Sequence, residues 1–278
     1  PHQNPVRKRS VDNIIRELEQ IKIRLPFVEH IKFDDDAFFL YTEDELKEFS
    51  IKYKKNIDLP LGISGATPSS LTREKLSCLV DAGLEWIRMG IQTGSERTKN
   101  LYKRVHSNQQ VIESVRIINE FKDKIKLPQY DIIIDNPWET EEDLIETLKL
   151  LAKLPTPYYL SLFSLIFYPG TELYEKAKRD GIVTDDRKEI YRKYFHGYKK
   201  TYLIRLFHLL DGYARRGSRI PPKIMPLLLS RILRQARLGY VLYFILRIFN
   251  KAQRLKSMLY ESLKDMRRGL AKKAVHGK

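Results

Sequence analysis

The sequence predicts an α/β fold of parallel β/α units followed by an all-helical extension. Three observations carry this. Five short apolar runs alternate with capped helical patterns between Ser10 and Gly181, at intervals of about 25 to 45 residues. Those runs are continuously apolar rather than alternating, as suits strands covered on both faces. The charge then changes abruptly: residues 1–183 hold 27 Lys and Arg against 29 Asp and Glu, a net of −2, whereas residues 184–278 hold 24 against 6, a net of +18. This shift predicts a boundary between a 1–183 β/α domain and a 184–278 basic helical extension.

The first element is a helix, Ser10 to Arg24, and a β/α array opening on a helix predicts a strand before it. "VEHIKF" (28–33) is the first strand, ending in "FDDDAFF" (33–39). Three adjacent carboxylates there repel one another and resist burial, which on these residues alone fits a solvated strand-end turn. Thr42 with Glu45 reads as a capping box opening the next helix. "LPLGIS" (59–64) is the second strand, and Thr72 caps a helix that Gly83 closes. The third strand, "EWIRMGI" (85–91), runs into "GIQTGSER" (90–97); Ser107 with Gln110 caps the helix beyond. "YDIIID" (130–135) is the fourth, with Thr140 and Asp143 as a further capping box, and "YLSLFSLIF" (159–167) is the fifth. Thr171 and Gly181 bracket the last helix of the array. Gly, Pro or clustered carboxylates stand at four of the five strand ends, where such folds gather ligands.

Composition excludes other classes. With 42% hydrophobic and 11% aromatic residues the 278-residue chain is neither disordered nor fibrous. No uncharged apolar run reaches the roughly 18 residues of a membrane span, so the expected location is the cytoplasm, with a peripheral place at a membrane surface open to the basic tail. Cys78, the single cysteine, lies in a helical pattern and reads as a small core residue, which rules out a disulfide framework. The start at Pro1 and the uncapped "PHQNPVRKRS" predict a piece of a longer chain.

Taken together, "RKRSVDNIIRELE", "IKFDDDAFF", "LTREKLSCLVDAGLEWIRMGIQTGSERTKNLYKRVH", "YDIIIDNPWETEEDLIETL" and "FYPGTELYEKAKRDGI" resemble the radical S-adenosylmethionine (radical SAM) enzymes. The likeness runs over residues 7–182 in the family's order and is nearest to the branch whose members often carry an N-terminal cobalamin-binding domain. It implies a partial (β/α)6 TIM-like barrel, here lacking its first strand. It also implies a 4Fe-4S cluster held by Cys-x-x-x-Cys-x-x-Cys in the loop after that strand, expected upstream of Pro1, so that this chain alone is expected to be inactive.

The resemblance assigns roles to strand-end residues. Asp35 and Asp36 face the methionine ammonium of S-adenosylmethionine, while Asp34, on the other side of the strand, reads as a surface residue. Gly90 and Gly94 let backbone approach the ligand, and Gln92 and Ser95 bond the ribose hydroxyls. Glu96 either contributes or complements the dipole of the next helix. Arg104 grips the cofactor carboxylate or is a solvated helix-end residue, and His106 reads as structural. Asp135 and Trp138 stand where relatives commonly have Gly, implying a reshaped wall that meets substrate. Glu139 orients that loop or only favours the helix start. "YPGT" (168–171) closes the rim as a tight turn.

The implied chemistry is reductive cleavage of S-adenosylmethionine to a 5′-deoxyadenosyl radical, or cobalamin-dependent methyl transfer, on a small-molecule or lipid-like substrate, with an electron donor such as flavodoxin or ferredoxin. Two other classes stay open: a non-radical (β/α)-barrel enzyme such as an aldolase or hydrolase, for which no Schiff-base lysine or histidine ligand set is found, and a non-catalytic binding module. The tail, with "LLLSRILRQARLGYVLYFILRIFNKAQRLK", fits packing on the barrel, an anionic membrane surface or, less well, RNA.

Overall fold

The computed structural model of the protein describes residues 8–35, 38–235, 239–252 and 255–256. They form two compact units, one ending at Arg219 and one starting at Ile220.

The first unit is built on five parallel strands in the order β1-β2-β3-β4-β5: Ile31–Asp34, Leu61–Ala66, Leu84–Gln92, Gln129–Ile134 and Tyr159–Ser164. The sheet is open, as expected of a partial barrel. Helices α1 (Val11–Arg24), α2 (Glu43–Asn56), α3 (Arg73–Ala82), α4 (Glu96–Leu101), α5 (Asn108–Glu120), α6 (Glu141–Lys153) and α7 (Glu172–Arg179) alternate with the strands. All three capping boxes form, at Thr42, Ser107 and Thr140, and Ser10, Thr72 and Thr171 cap α1, α3 and α7 with their side chains. Gly83 ends α3 at φ +109°, a conformation that L side chains rarely adopt. Two strands start later than the sequence predicts. Pro60 has no N–H to give, and residues 25–28 form a turn closed by Val28 N–H on Leu25 O, so the ladders begin at Leu61 and Ile31.

Strand alternation gives the sheet two unlike faces. Ile63, Ile87, Met89, Ile91, Tyr130 and Ile132 are fully buried on the outer, helix-covered face, where each side chain contributes about 2 kcal/mol. Phe33, half-buried, lies on the same face, its ring 4.8 Å from Phe38 and 6.0 Å from Phe49 of α2. The inner face instead carries Asp34, Ser64, Arg88 and Asp131, and its charged residues mark the side away from the helices.

Residues 184–219 pack on β5 within this unit. Their helix α8 (Tyr202–Ala214) lies against β5 and α6. The outer edge of β5 is partly occupied: Leu160 N–H donates to Asp211 Oδ1 at 2.7 Å, Leu162 O accepts from His196 Nδ1–H at 2.8 Å, and Ser164 N–H donates to Phe195 O at 2.6 Å.

The second unit contains helices α9 (Ile224–Leu229) and α10 (Arg231–Gln235) and a helical stretch over 239–252. In that stretch Tyr243 and Leu246 are buried while Phe244, Ile245, Ile248 and Phe249 are exposed. Among the described residues no helix is long and apolar enough to cross a membrane.

Candidate active site at the C-terminal strand ends

The end of β3 is irregular where the sequence is unusual. A bulge separates Gly90 from Gln92, and Gln92 sits at φ +68°, a conformation costing a non-glycine residue roughly 1–3 kcal/mol. Its amide folds back over Gly90, where a Cβ would lie 2.4 Å from Gln92 Nε2. Glycine at 90 is therefore what permits this pose. Gly94 answers to a different neighbour, since a Cβ there would stand 2.8 Å from the Cα of Thr147 on α6. The same contact is sealed by Gly94 N–H donating to Thr147 Oγ1 at 2.9 Å.

One buried carboxylate ties the β3 and β4 loops together. Asp143 accepts from Ser95 Oγ at 2.5 Å, from Thr140 N–H and Oγ1–H at 2.7 Å each, and from Arg97, whose guanidinium also donates to Trp138 O. Burial works to raise the Asp143 pKa, but the hydrogen bonds from Arg97, Ser95 and Thr140 together hold it well below the usual carboxylate range. Ser95 is thus fully buried, caps α4 by accepting from Thr98 N–H and donates a hydrogen bond from its hydroxyl to Asp143. The capping box was legible in the sequence; the cross-loop tie to Ser95 and Arg97 was not, because nothing in linear spacing brings residues 48 apart together.

Glu139 is half-buried in the same loop. Burial, reinforced by Asp143 and opposed by Arg97, pushes its pKa up to about 8. Nearby, burial raises the Tyr102 phenol, with Glu139 adding to the shift. Asp135 follows β4 at φ +59° and accepts from Ser164 Oγ at 2.8 Å, with Lys193 Nζ 3.6 Å away. Trp138 donates from Nε1 to Asp180 at 2.8 Å and packs edge-on to Phe167, which fixes it to the α7 layer. The rim turn forms as expected, with Gly170 at φ +82° and Thr171 N–H donating to Tyr168 O.

At the end of β1, Asp34 is exposed yet turned onto the inner face, where it accepts from Ser64 Oγ at 2.7 Å and pairs with Lys32 at 2.8 Å. Strand register with Ser64 puts it there, so the sequence expectation that it points away is corrected. Asp35 is exposed at the strand end, and Asp36 lies outside the described residues. Glu96 sits in the first turn of α4 and pairs at 2.9 Å with the buried ammonium of Lys99, which also donates to Asn108. Arg104 is exposed, its backbone N–H held by Lys99 O. His106 is buried, and burial with the Lys99 charge lowers its pKa.

Two cavities open here. One of about 380 Å³ is lined by Arg88, Gln92, Asp131, Phe163, Tyr168 and Phe195, among others. The other, of about 780 Å³, lies between Tyr102, Phe167 and α7 and shares Ile133, Leu165, Ile166 and Tyr168 with the first. Of the sequence-derived site residues, Gln92 lines the smaller one; Ser95, Glu96 and Glu139 surround the loop tie, and Asp35 and Arg104 line neither. Sequence reasoning overlooked Arg88 and Asp131. Their signal was a charge at an inner-face position of an otherwise apolar strand.

Fold and site define a class: an open parallel β/α barrel with polar strand ends around a ligand-sized space. Residues 1–151 match the profile of the Radical SAM superfamily, and the chain belongs to that superfamily. The chain is 30% identical over 104 residues to the tRNA-2-methylthio-N(6)-dimethylallyladenosine synthase of Paracoccus denitrificans, covering 37% of this chain and 23% of that protein. It is 27% identical over 143 residues to the heme chaperone HemW of Bacillus subtilis, covering 50% and 37%. Among solved structures it is similar to the radical S-adenosylmethionine methyltransferase TsrM of Kitasatospora setae, bound to cobalamin and a 4Fe-4S cluster, with a TM-score of 0.52 and 18% identity over 62% of this chain and 32% of that one. At that identity the likeness is one of fold. The chain spans less than half the length of each of these three proteins.

Proposed function

We propose that the β/α unit is the S-adenosylmethionine- and substrate-binding part of a radical SAM enzyme whose reaction is reductive cleavage to a 5′-deoxyadenosyl radical or cobalamin-dependent methyl transfer. The observation that carries the reading is the end of β3, where a bulge, a positive-φ Gln92 and its amide lying over Gly90 present a polar group beside a cavity. Backbone strain at a cavity wall is a mark of a ligand site rather than of stability. In this reading Gln92 bonds the ribose, Asp35 and Asp36 attract the cationic methionine end, and Arg104 reaches its carboxylate. Ser95, Glu96 and Glu139 hold the loops that carry them.

The residues at hand suit a nucleoside-sulfonium ligand but not an iron–sulfur cluster. Cys78 is the only cysteine, on the helix α3, and among the described residues no group of three His, Cys, Asp or Glu stands close enough to hold a metal ion. We therefore place any cluster ligands outside residues 1–278 and expect this chain to bind S-adenosylmethionine without cleaving it. The electron donor, flavodoxin or ferredoxin, belongs to the whole enzyme.

Equilibrium dialysis against labelled S-adenosylmethionine tests this. Gln92→Ala is expected to weaken binding by about tenfold, as loss of ligand hydrogen bonds from a fixed amide should. Equal affinity in the variant, or no binding by the parent, sinks the assignment.

A peripheral membrane association is favoured by the exposed Phe244, Ile245, Ile248 and Phe249 beside Arg247 and Lys251. Anionic vesicles are expected to pellet the protein at low salt and release it at high salt; a protein left in the supernatant at low salt rules the association out.

A further inference from the structure

The inner face of the sheet carries, midway along β3, a guanidinium held from behind. Tyr159 OH donates to Gln129 Oε1, and Gln129 Nε2 donates to Asp131 Oδ1 at 3.1 Å and to Ser161 Oγ at 2.8 Å. The other Asp131 oxygen, Oδ2, accepts from Arg88 Nε at 2.6 Å. Asp131 is buried, and the guanidinium carbon of Arg88 lies 5.3 Å from the Phe163 ring centre.

This relay crosses β5, β4 and β3 and uses both oxygens of Asp131. It takes only the Nε side of Arg88. A purely structural pair would commonly engage the guanidinium through two parallel bonds. Here the two terminal nitrogens make no hydrogen bond to protein among the described residues, and Arg88 lines the 380 Å³ cavity. Lys32 does not compete for the role, because it is already paired with Asp34. The remaining walls are largely apolar: Phe163, Leu165, Ile166, Tyr168 and Phe195. The volume falls within the range of small-molecule sites, about 300–1,000 Å³.

We infer that Arg88 anchors the substrate of this site through an anionic group, a carboxylate or a phosphate, on an apolar body that packs against Phe163, Tyr168 and Phe195. Asp131 is a positioning residue: it fixes the guanidinium so that its free fork points into the cavity. The inference rests on the radical SAM reading for calling the occupant a substrate, but the anion site stands on the inner-face geometry alone.

Calorimetric titration of the 278-residue chain with phenyl phosphate, benzoate and the neutral benzamide tests it. At least one anion is expected to saturate a single site, with benzamide at least about tenfold weaker, and the better anion identifies the group recognised. Arg88→Gln is expected to lose about tenfold or more in affinity for that anion. Arg88→Lys keeps the charge beside Asp131 but not the fork, so it is expected to melt like the parent and still bind several-fold more weakly. Failure of both anions to saturate overturns the inference, and so does parent-like binding by both variants. A parallel titration with S-adenosylmethionine separates the two readings. If Arg88→Gln loses S-adenosylmethionine to the same degree and the cofactor displaces the anion, Arg88 holds the cofactor and the substrate assignment falls. If S-adenosylmethionine does not bind at all while the anion does, the cofactor reading fails and the anion site remains.

Discussion

Asp143→Ala is expected to destabilise the β/α unit by about 2–3 kcal/mol, because it leaves the buried Ser95 hydroxyl and the part-buried Thr140 donors without their acceptor. Ser95 Oγ, Thr140 N–H and Thr140 Oγ1 all converge on this one carboxylate. The exposed half of Arg97 contributes less, since solvent screens it. Urea unfolding followed by circular dichroism reads the effect, and an unchanged midpoint would mean that the tie between the β3 and β4 loops carries no stability. The pH dependence has a definite sign. The folded Asp143 pKa lies below its ordinary value of 3.8, so its contribution is present above about pH 4 and is lost as pH falls through the folded value. Asp143→Asn should remove that acid-side loss.

Glu139 has the opposite sign and the second large effect. With a folded pKa of about 8 against an ordinary value of 4.5, the native state keeps a proton that the unfolded chain releases across that interval. Stability should therefore fall as pH rises from about 4.5 to about 8 and level off beyond. Because Glu139 is only half-buried, about 2–3 kcal/mol is a suitable scale for the whole decline. Glu139→Gln cannot ionise, so its profile should lack this slope and cross above the parent near neutrality. Unfolding midpoints at pH 5, 7 and 9 that run parallel in parent and variant would show that the carboxyl is already solvated.

The fold was legible because local signals agreed with one another. Ser10, Thr42, Thr72, Ser107, Thr140 and Thr171 each cap a helix where the sequence puts one, and the apolar runs between them could be buried only as parallel strands. Strand ends were less sharp, since a Pro60 without an N–H or a turn at residues 25–28 shifts a ladder by two or three residues. The site was legible as a set of loops but not as a set of contacts. Gly90 and Gly94 look alike in "GIQTGSER", yet one accommodates a side chain from its own strand and the other a helix backbone 53 residues on. Asp34 is the surface residue the sequence suggests, yet it lies on the inner face, because Phe33 one residue earlier turns to the helix-covered side. Arg88 and Asp131 each look like noise in an apolar run, and only the register of β3 on β4 makes them a pair.

The two margins of the sheet are not equivalent. At β5 three outward groups, Leu160 N–H, Leu162 C=O and Ser164 N–H, are already engaged by Asp211, His196 and Phe195, which hinders a further segment from pairing along that border. Among the described residues β1 hydrogen-bonds to β2 alone. The margin better suited to a further parallel segment is therefore the one alongside Ile31–Asp34, where its C-terminal tip would arrive next to Asp35.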